Sequence, residues 1–174
     1  HMDILAFYGW EKANQLDKSG HVSTGIGGTA FNVAANLCQV YPIDLITALP
    51  SHSIARRLIQ SITQENGIGL KILESPTQSD ATFVGQFCDD VMTSAVMHTP
   101  VDNASFSSEL TEDDLSVYSV LVLDCHLPTS VLVDILKNKT NVIQKVLIGA
   151  VPQGKVKRIM EASHILQTRY LCDV

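Results

Sequence analysis

Two spacings of apolar residues alternate along this chain, and that alternation limits its fold more than any other feature. Asp3 to Tyr8 (DILAFY) is an apolar run of strand length. A polar, glycine-containing stretch follows from Gly20 to Gly28. Ala30, Val33, Ala34, Leu37 and Cys38 then recur at the spacing of one helix face, which predicts a helix over 29–40. Ile43 to Leu49 reads as the next strand. Helical spacing returns over 54–65 through Ile54, Leu58, Ile59 and Ile62, and Asn66-Gly67 is its stop signal. Leu70 to Leu73 is a short strand, and Val117 to Asp124 the clearest strand of the chain. Pro128 opens a helix with Val131, Leu132, Ile135 and Leu136 inward. Val142 to Ile148 reads as a strand, a helix from about Lys155 carries Val156, Ile159 and Met160 inward, and Tyr170 to Val174 reads as a strand or its exit. Strands and helices joined by short connections predict an α/β fold: a mostly parallel sheet with flanking helices.

The middle of the chain departs from that rhythm. Asp80 to Phe87 and Met92 to His98 are rich in β-formers and are separated by Cys88 to Val91, which predicts a hairpin over about 80–98 with one wet face. Such an insertion suits a small β lid or an edge sheet. Thr111 followed by Asp114 predicts a capped helix start, with Asp in place of the usual Glu or Gln.

Composition removes several classes of function. In 174 residues, 45% are hydrophobic and 17% charged, which is too apolar and too weakly charged for a disordered chain. The net charge of −6 argues against a broad nucleic-acid surface, so no nucleic-acid partner is expected. No apolar run reaches the roughly 18 residues of a transmembrane helix. Cys38, Cys88, Cys125 and Cys172 are widely separated and include no C-x-x-C, so neither a zinc site nor a disulfide scaffold is expected. Cys38 and Cys125 sit in apolar segments and read as buried thiols, which predicts a cytoplasmic location. His1-Met2 reads as a cloning scar, leaving 3–174 as the domain.

Gly27-Gly28-Thr29-Ala30-Phe31-Asn32-Val33-Ala34 opens the first helix. Paired glycines let a ligand approach the backbone, a helix N-terminus offers unpaired N–H groups, and the Asn32 amide can donate and accept toward hydroxyls. The stretch resembles the G-G-x-x-x-N-x-A signature of the PfkB (ribokinase-like) family of carbohydrate and nucleoside kinases. The likeness runs on in order through Gly67-Ile68, Asp80-Ala81-Thr82-Phe83, Leu123-Asp124-Cys125-His126-Leu127-Pro128 and Lys155-Val156-Lys157-Arg158-Ile159. The closest pattern is that of pseudouridine-kinase-like members. The resemblance implies a ribokinase-like fold of which residues 3–174 are the first part, with Gly27, Gly28 and Asn32 toward substrate.

The departures fall where the chemistry should be. Ala13 stands where the family has a substrate-binding Asp, with Asn14 or Asp17 as the nearby substitutes. Pro50-Ser51-His52 replaces a G-D-D-like turn, Gly149-Ala150-Val151-Pro152 a D-P-V-S-like segment, and His126 an Asn. The family's N-x-x-E and G-x-G-D motifs, the latter with the catalytic base, fall beyond Val174. No catalytic residue and no metal site is therefore expected in these residues.

Two functions follow. The first is a catalytically degenerate binding or assembly subunit, without a cofactor, forming a homodimer or complex through the lid residues Phe83, Phe87, Met92, Val96 and Met97. The alternative is the substrate-binding part of an ATP- and Mg²⁺-dependent sugar or nucleoside kinase, with a small sugar or nucleoside as ligand. A two-His metal site at His52 and His126 has no carboxylate at ligand spacing to either, so both read as solvated loop histidines. Asp124 reads as facing a cleft or capping its turn.

Overall fold

The computed structural model describes residues 2–8, 20–75, 79–98, 100, 110–124, 126–138, 145–149 and 170–172. Strand β1 (Met2–Tyr8) is followed by β2 (His21–Ile26), helix α1 (Thr29–Leu37), β3 (Asp44–Leu49), α2 (Ile54–Glu65) and β4 (Gly69–Glu74). The hairpin strands β5 (Thr82–Cys88) and β6 (Val91–His98) come next, then α3 (Glu112–Ser116), β7 (Val120–Asp124), α4 (Thr129–Asn138), β8 (Lys145–Gly149) and β9 (Tyr170–Cys172). The helix expected from Lys155, the thiol of Cys125 and the candidates Asn14 and Asp17 lie outside the described residues.

The expected parallel strands form two ladders. β3 pairs with β4, and β7, β8 and β9 pair in that order, all parallel. A third sheet has the order β2-β1-β5-β6. In it β1 runs parallel to β5 and antiparallel to β2, so the hairpin extends the sheet of the first strand. β2 falls in the stretch expected to be polar loop. Its Val22 is exposed, and pairing with β1, rather than an apolar pattern of its own, makes it a strand.

The helices end as their sequences dictate. Gly28 caps α1 at φ 102, where only glycine is unstrained, and Asn32 N–H closes the first turn on its carbonyl at 2.9 Å. Ser53 caps α2 by accepting from Arg56 N–H at 2.8 Å, and Gly67 at φ 66 follows its end. Thr111 and Asp114 form both halves of the capping box on α3.

Two apolar cores result. One gathers Leu73, Leu110, Leu115 and Leu123 around the inner stripe of α4, which is Val131, Leu132, Ile135 and Leu136 as expected. The other joins Phe31 and Ala34 of α1 to Leu45, Leu49, Ala55, Ile59 and Ile68. Here the expected stripes shift by about one residue. α1 buries Phe31 while Leu37 is exposed, and α2 buries Ala55, Ile59 and Thr63 while Ile54 and Leu58 are exposed. Apolar spacing gives a helix its face to within one position; the neighbouring strands decide the centre.

Candidate functional site

A cavity of about 290 Å³ lies between the two cores, with β3 along one side and β7 along the other. Its polar groups lie at both ends of these strands: Asp44 and Tyr118 at the amino ends, and Asp80, Asp124 and His126 at the carboxyl ends, where open α/β sheets hold ligands. Gly27 and Gly28 bring the start of α1 to the lining, Pro50 and Ala55 bring the turn after β3 and the first turn of α2, and Asp80, Asp124 and His126 add side chains.

Asp124 and His126 form a pair. Asp124 Oδ1 accepts from the His126 backbone N–H at 2.9 Å and meets its Nδ1 at 2.8 Å. Asp124 thus both caps its turn and lines the cleft. The expectation of a solvated loop histidine is corrected for His126: it is half-buried, and Asp124, two residues earlier, fixes the orientation of its ring. The D-x-H spacing before Pro128 was the available signal, because an Asp side chain closes onto the N–H two residues on. His52 is exposed, as expected.

Asp80 sits at the N-terminus of α2. Ala55 N–H approaches its Oδ2 at 3.4 Å, while its Oδ1 is buried without a hydrogen-bond partner. No sequence signal marks Asp80 as more than the entry to the hairpin. Beside it, Ser79 Oγ lies 3.3 Å from His98 Nε2, tying the rim of the cavity to the end of β6.

The residues singled out in the sequence divide. Gly27 and Gly28 line the cavity, whereas Asn32 is exposed and absent from the lining. Its backbone carbonyl accepts from Asn36 Nδ2 at 2.7 Å on the outer face of α1. The Pro50-Ser51-His52 turn is pinned to the end of β4: Ser51 Oγ donates to Glu74 Oε2 at 2.8 Å, and Arg56 Nη2 meets Glu74 Oε1 at 2.5 Å. The Ser51 hydroxyl and the Arg56 guanidinium together hold the Glu74 carboxyl below its usual range.

The lid residues also divide. Phe83 opposes Met97 and Phe87 opposes Met92, whereas Val96 opposes Val84. The register shifts between Gln86 and Phe87, where the Thr93 hydroxyl donates to the Gln86 carbonyl at 3.3 Å, and this bulge turns Met92 onto the face of Phe83, Phe87 and Met97. Val96 lies on the other face. Phe83 and Phe87 are half-buried, but β6 is exposed along its whole length and on both faces, not on one wet face as its alternation predicts. Cys38 is half-buried rather than buried, Cys88 is buried, and neither is in a disulfide.

No protein-family model matches the sequence, and no curated protein is significantly similar to it. Solved structures are similar in fold. A carbohydrate kinase from Agrobacterium tumefaciens superposes with a TM-score of 0.71 at 16% identity, over 93% of this chain and 54% of that one. Ribokinase from Giardia lamblia gives 0.69 at 14% identity, over 92% and 56%. A fructokinase from Xylella fastidiosa with bound ATP gives 0.65 at 14% identity, over 93% and 56%. The chain therefore has the ribokinase-like α/β fold expected from its motifs, and spans about half the length of the solved structures it resembles. Among the described residues, no helix is long and apolar enough to cross a membrane.

Proposed function

We propose that this chain is the substrate-binding part of a ribokinase-like kinase, and that it takes a small sugar or nucleoside at the carboxyl ends of β3 and β7. The observation that carries the reading is the convergence of Gly27, Gly28, Asp80 and the Asp124–His126 pair on one cavity. Backbone N–H groups at the start of α1 donate to ligand oxygens, and the carboxylates accept from ligand hydroxyls. Asn32 would contribute only after a reorientation of α1; Asn14 and Asp17 complete the proposed set. The matched structures are carbohydrate kinases, and the fructokinase among them binds ATP.

ATP and Mg²⁺, which this reading implies, do not fit the cavity as described. Its described lining has no lysine or arginine, and no group of three or more His, Cys, Asp or Glu side chains among the described residues is placed to hold a metal. Phosphoryl transfer needs both positioning and neutralisation of phosphate charge, so the nucleotide would sit on other residues.

A second reading is a non-catalytic subunit that dimerises or joins a complex through the lid. It is favoured by the apolar exposure of the edge strand β6, where Val91, Met92, Val96 and Met97 are 65%, 52%, 68% and 47% exposed. Calorimetry of the full-length native protein with neutral sugars and nucleosides, with and without ATP–Mg²⁺, separates the two. Saturable sugar binding and a phosphorylated product support the kinase reading. A protein that binds no nucleotide, yet is dimeric by light scattering and made monomeric by Met97→Asp, supports the second and overturns the first.

A further inference from the structure

We propose that the apolar interior of the cavity is the seat of a further strand of this same chain: the native residues that lead into β1 run through it, parallel to β3 and β7, and join the two ladders into one sheet. Neither ladder is closed on the cavity side. β3 pairs with β4 alone and β7 with β8 alone, so among the described residues each turns an unpaired edge to the cavity. Both strands line it along their whole length, Asp44–Leu49 and Val120–Asp124. They run the same way. The Tyr118 hydroxyl, just before β7, reaches the carboxylate of Asp44 at the start of β3, while Pro50 and His126 line the opposite end. Each edge presents a row of backbone N–H and C=O groups to the slot between them.

Helices already cover that slot on both faces. Leu45 and Leu49 of β3 belong to the core with Phe31 and Ala34 of α1, whereas Ile46 and Ala48 pack against the core of α4. Successive residues of a strand point to opposite faces, so α1 and α4 stand on opposite sides of the slot. A strand placed there satisfies both rows of backbone groups at once and buries its side chains on both faces. The direction of the chain then names the occupant. A strand parallel to β3 and β7 leaves the slot at their carboxyl ends, and Met2, the first residue of β1, stands at that end. It is paired with Ile26, which lines the cavity, and with Thr82, whose neighbour Ala81 also lines it. β3 has six residues and β7 five, so the occupant is a run of that length, apolar throughout and followed closely by β1. The mouth of the cavity, with Asp80, Asp124 and His126, stays open at its exit. The inference is therefore independent of the carbohydrate-binding reading.

The test is hydrogen exchange, read amide by amide by NMR, on the full-length native protein and on a chain cut immediately before Met2. In the full-length protein the β3 and β7 amides that face the slot should be as protected as those that face β4 and β8. The cut should speed exchange of the slot-facing amides by about tenfold or more and leave the β5–β6 hairpin unchanged. A synthetic peptide of the removed residues should restore the protection. Should the cut chain unfold, the full-length protein decides: Thr47→Cys is combined with a cysteine at each position before Met2 in turn, and one or two of them should form a disulfide identified by peptide mapping. Slot-facing amides that exchange freely in the full-length protein, protection that the cut leaves unchanged, or no disulfide at any position would overturn the proposal. So would a native chain that begins at Met2. Each of these results leaves the carbohydrate-binding reading standing.

Discussion

The Tyr118 hydroxyl donates a hydrogen bond to Asp44 Oδ2, joining the turn before β7 to the first residue of β3 across 74 residues of sequence. This bond and burial beside the Asp44 charge push the Tyr118 pKa up to about 12 from 10.0. A folded pKa above the unfolded value adds stability that is present in full below pH 10.0 and is lost as pH rises through about 12. Of the four tyrosines, Tyr118 should ionise late in an ultraviolet absorbance titration. Tyr118→Phe should remove that late step and flatten the alkaline fall in stability. A titration unchanged by the substitution would show that the bond does not form.

The same carboxylate occupies the space a side chain would need at Gly69. Asp44 and Gly69 are paired across β3 and β4, and a Cβ at Gly69 would stand 1.7 Å from Asp44 Oδ1. The Asp44 side chain cannot swing aside without losing Tyr118. Gly69→Ala should therefore destabilise the fold by roughly 1–3 kcal/mol in urea unfolding. Asp44→Ala in the same chain should recover much of that loss, a non-additivity that a double-mutant cycle reads directly.

Asp114 links α3 to β4. Lys71 Nζ meets its Oδ1 at 2.5 Å, while Thr111 N–H and hydroxyl donate to its Oδ2, each at 2.8 Å. The Lys71 ammonium, followed by the Thr111 donors, holds the carboxyl well below the ordinary carboxylate range. A depressed folded pKa gives stability present above the unfolded value of 3.8 and lost as pH falls below it toward the folded value. Asp114→Asn should flatten the acid limb of a stability–pH profile, and added salt should weaken the Lys71 contribution because the pair is partly exposed. Thr111→Ala, which removes the cap and the hydroxyl donor to Asp114 but leaves the Lys71 pair, should cost about 1 kcal/mol at neutral pH.

The turn of the hairpin carries strain that glycine would relieve. Asp89 and Asp90 both have positive φ, 48 and 64. A two-residue connection of this kind favours glycine, most strongly at its second position. Asp90→Gly should raise stability by about 0.5–1 kcal/mol, read as an increase in Tm with the β5–β6 register unchanged.

Local patterns carried much of the fold. The α4 stripe, the Thr111–Asp114 box, the stop at Gly67 and the two hairpin strands each follow from residues a few positions apart. What depended on distant partners was not legible. β2 is a strand only because β1 lies beside it, and β1 joins the hairpin through a parallel pairing with β5 that no local signal marks. The site shows the same division. Gly27 and Gly28 announce a close approach, and helical spacing already opposes Asn32 to the inward face of Ala30, Val33 and Ala34, so its exposure was readable. Asp80 was not, because what places it on the lining is a contact with the start of α2, 25 residues away in sequence.

Burial contrasts sharply between α4 and β6, and this allows the lid to be probed through stability alone. Leu132 is 0% exposed within the core, while Val96 is 68% exposed on the edge strand. Leu132→Ala removes packed methyl groups and leaves a cavity, so it should cost about 2–5 kcal/mol at any protein concentration. Val96→Ala removes groups that already face water and should change the stability of the monomer by no more than about 0.5 kcal/mol. In a dimer formed through β6, Val96 would be covered, and its truncation would then cost more as protein concentration rises. Urea unfolding of both variants at two widely spaced concentrations reads these outcomes together. A concentration-independent, near-zero effect of Val96→Ala would leave β6 an open edge and count against assembly through the lid.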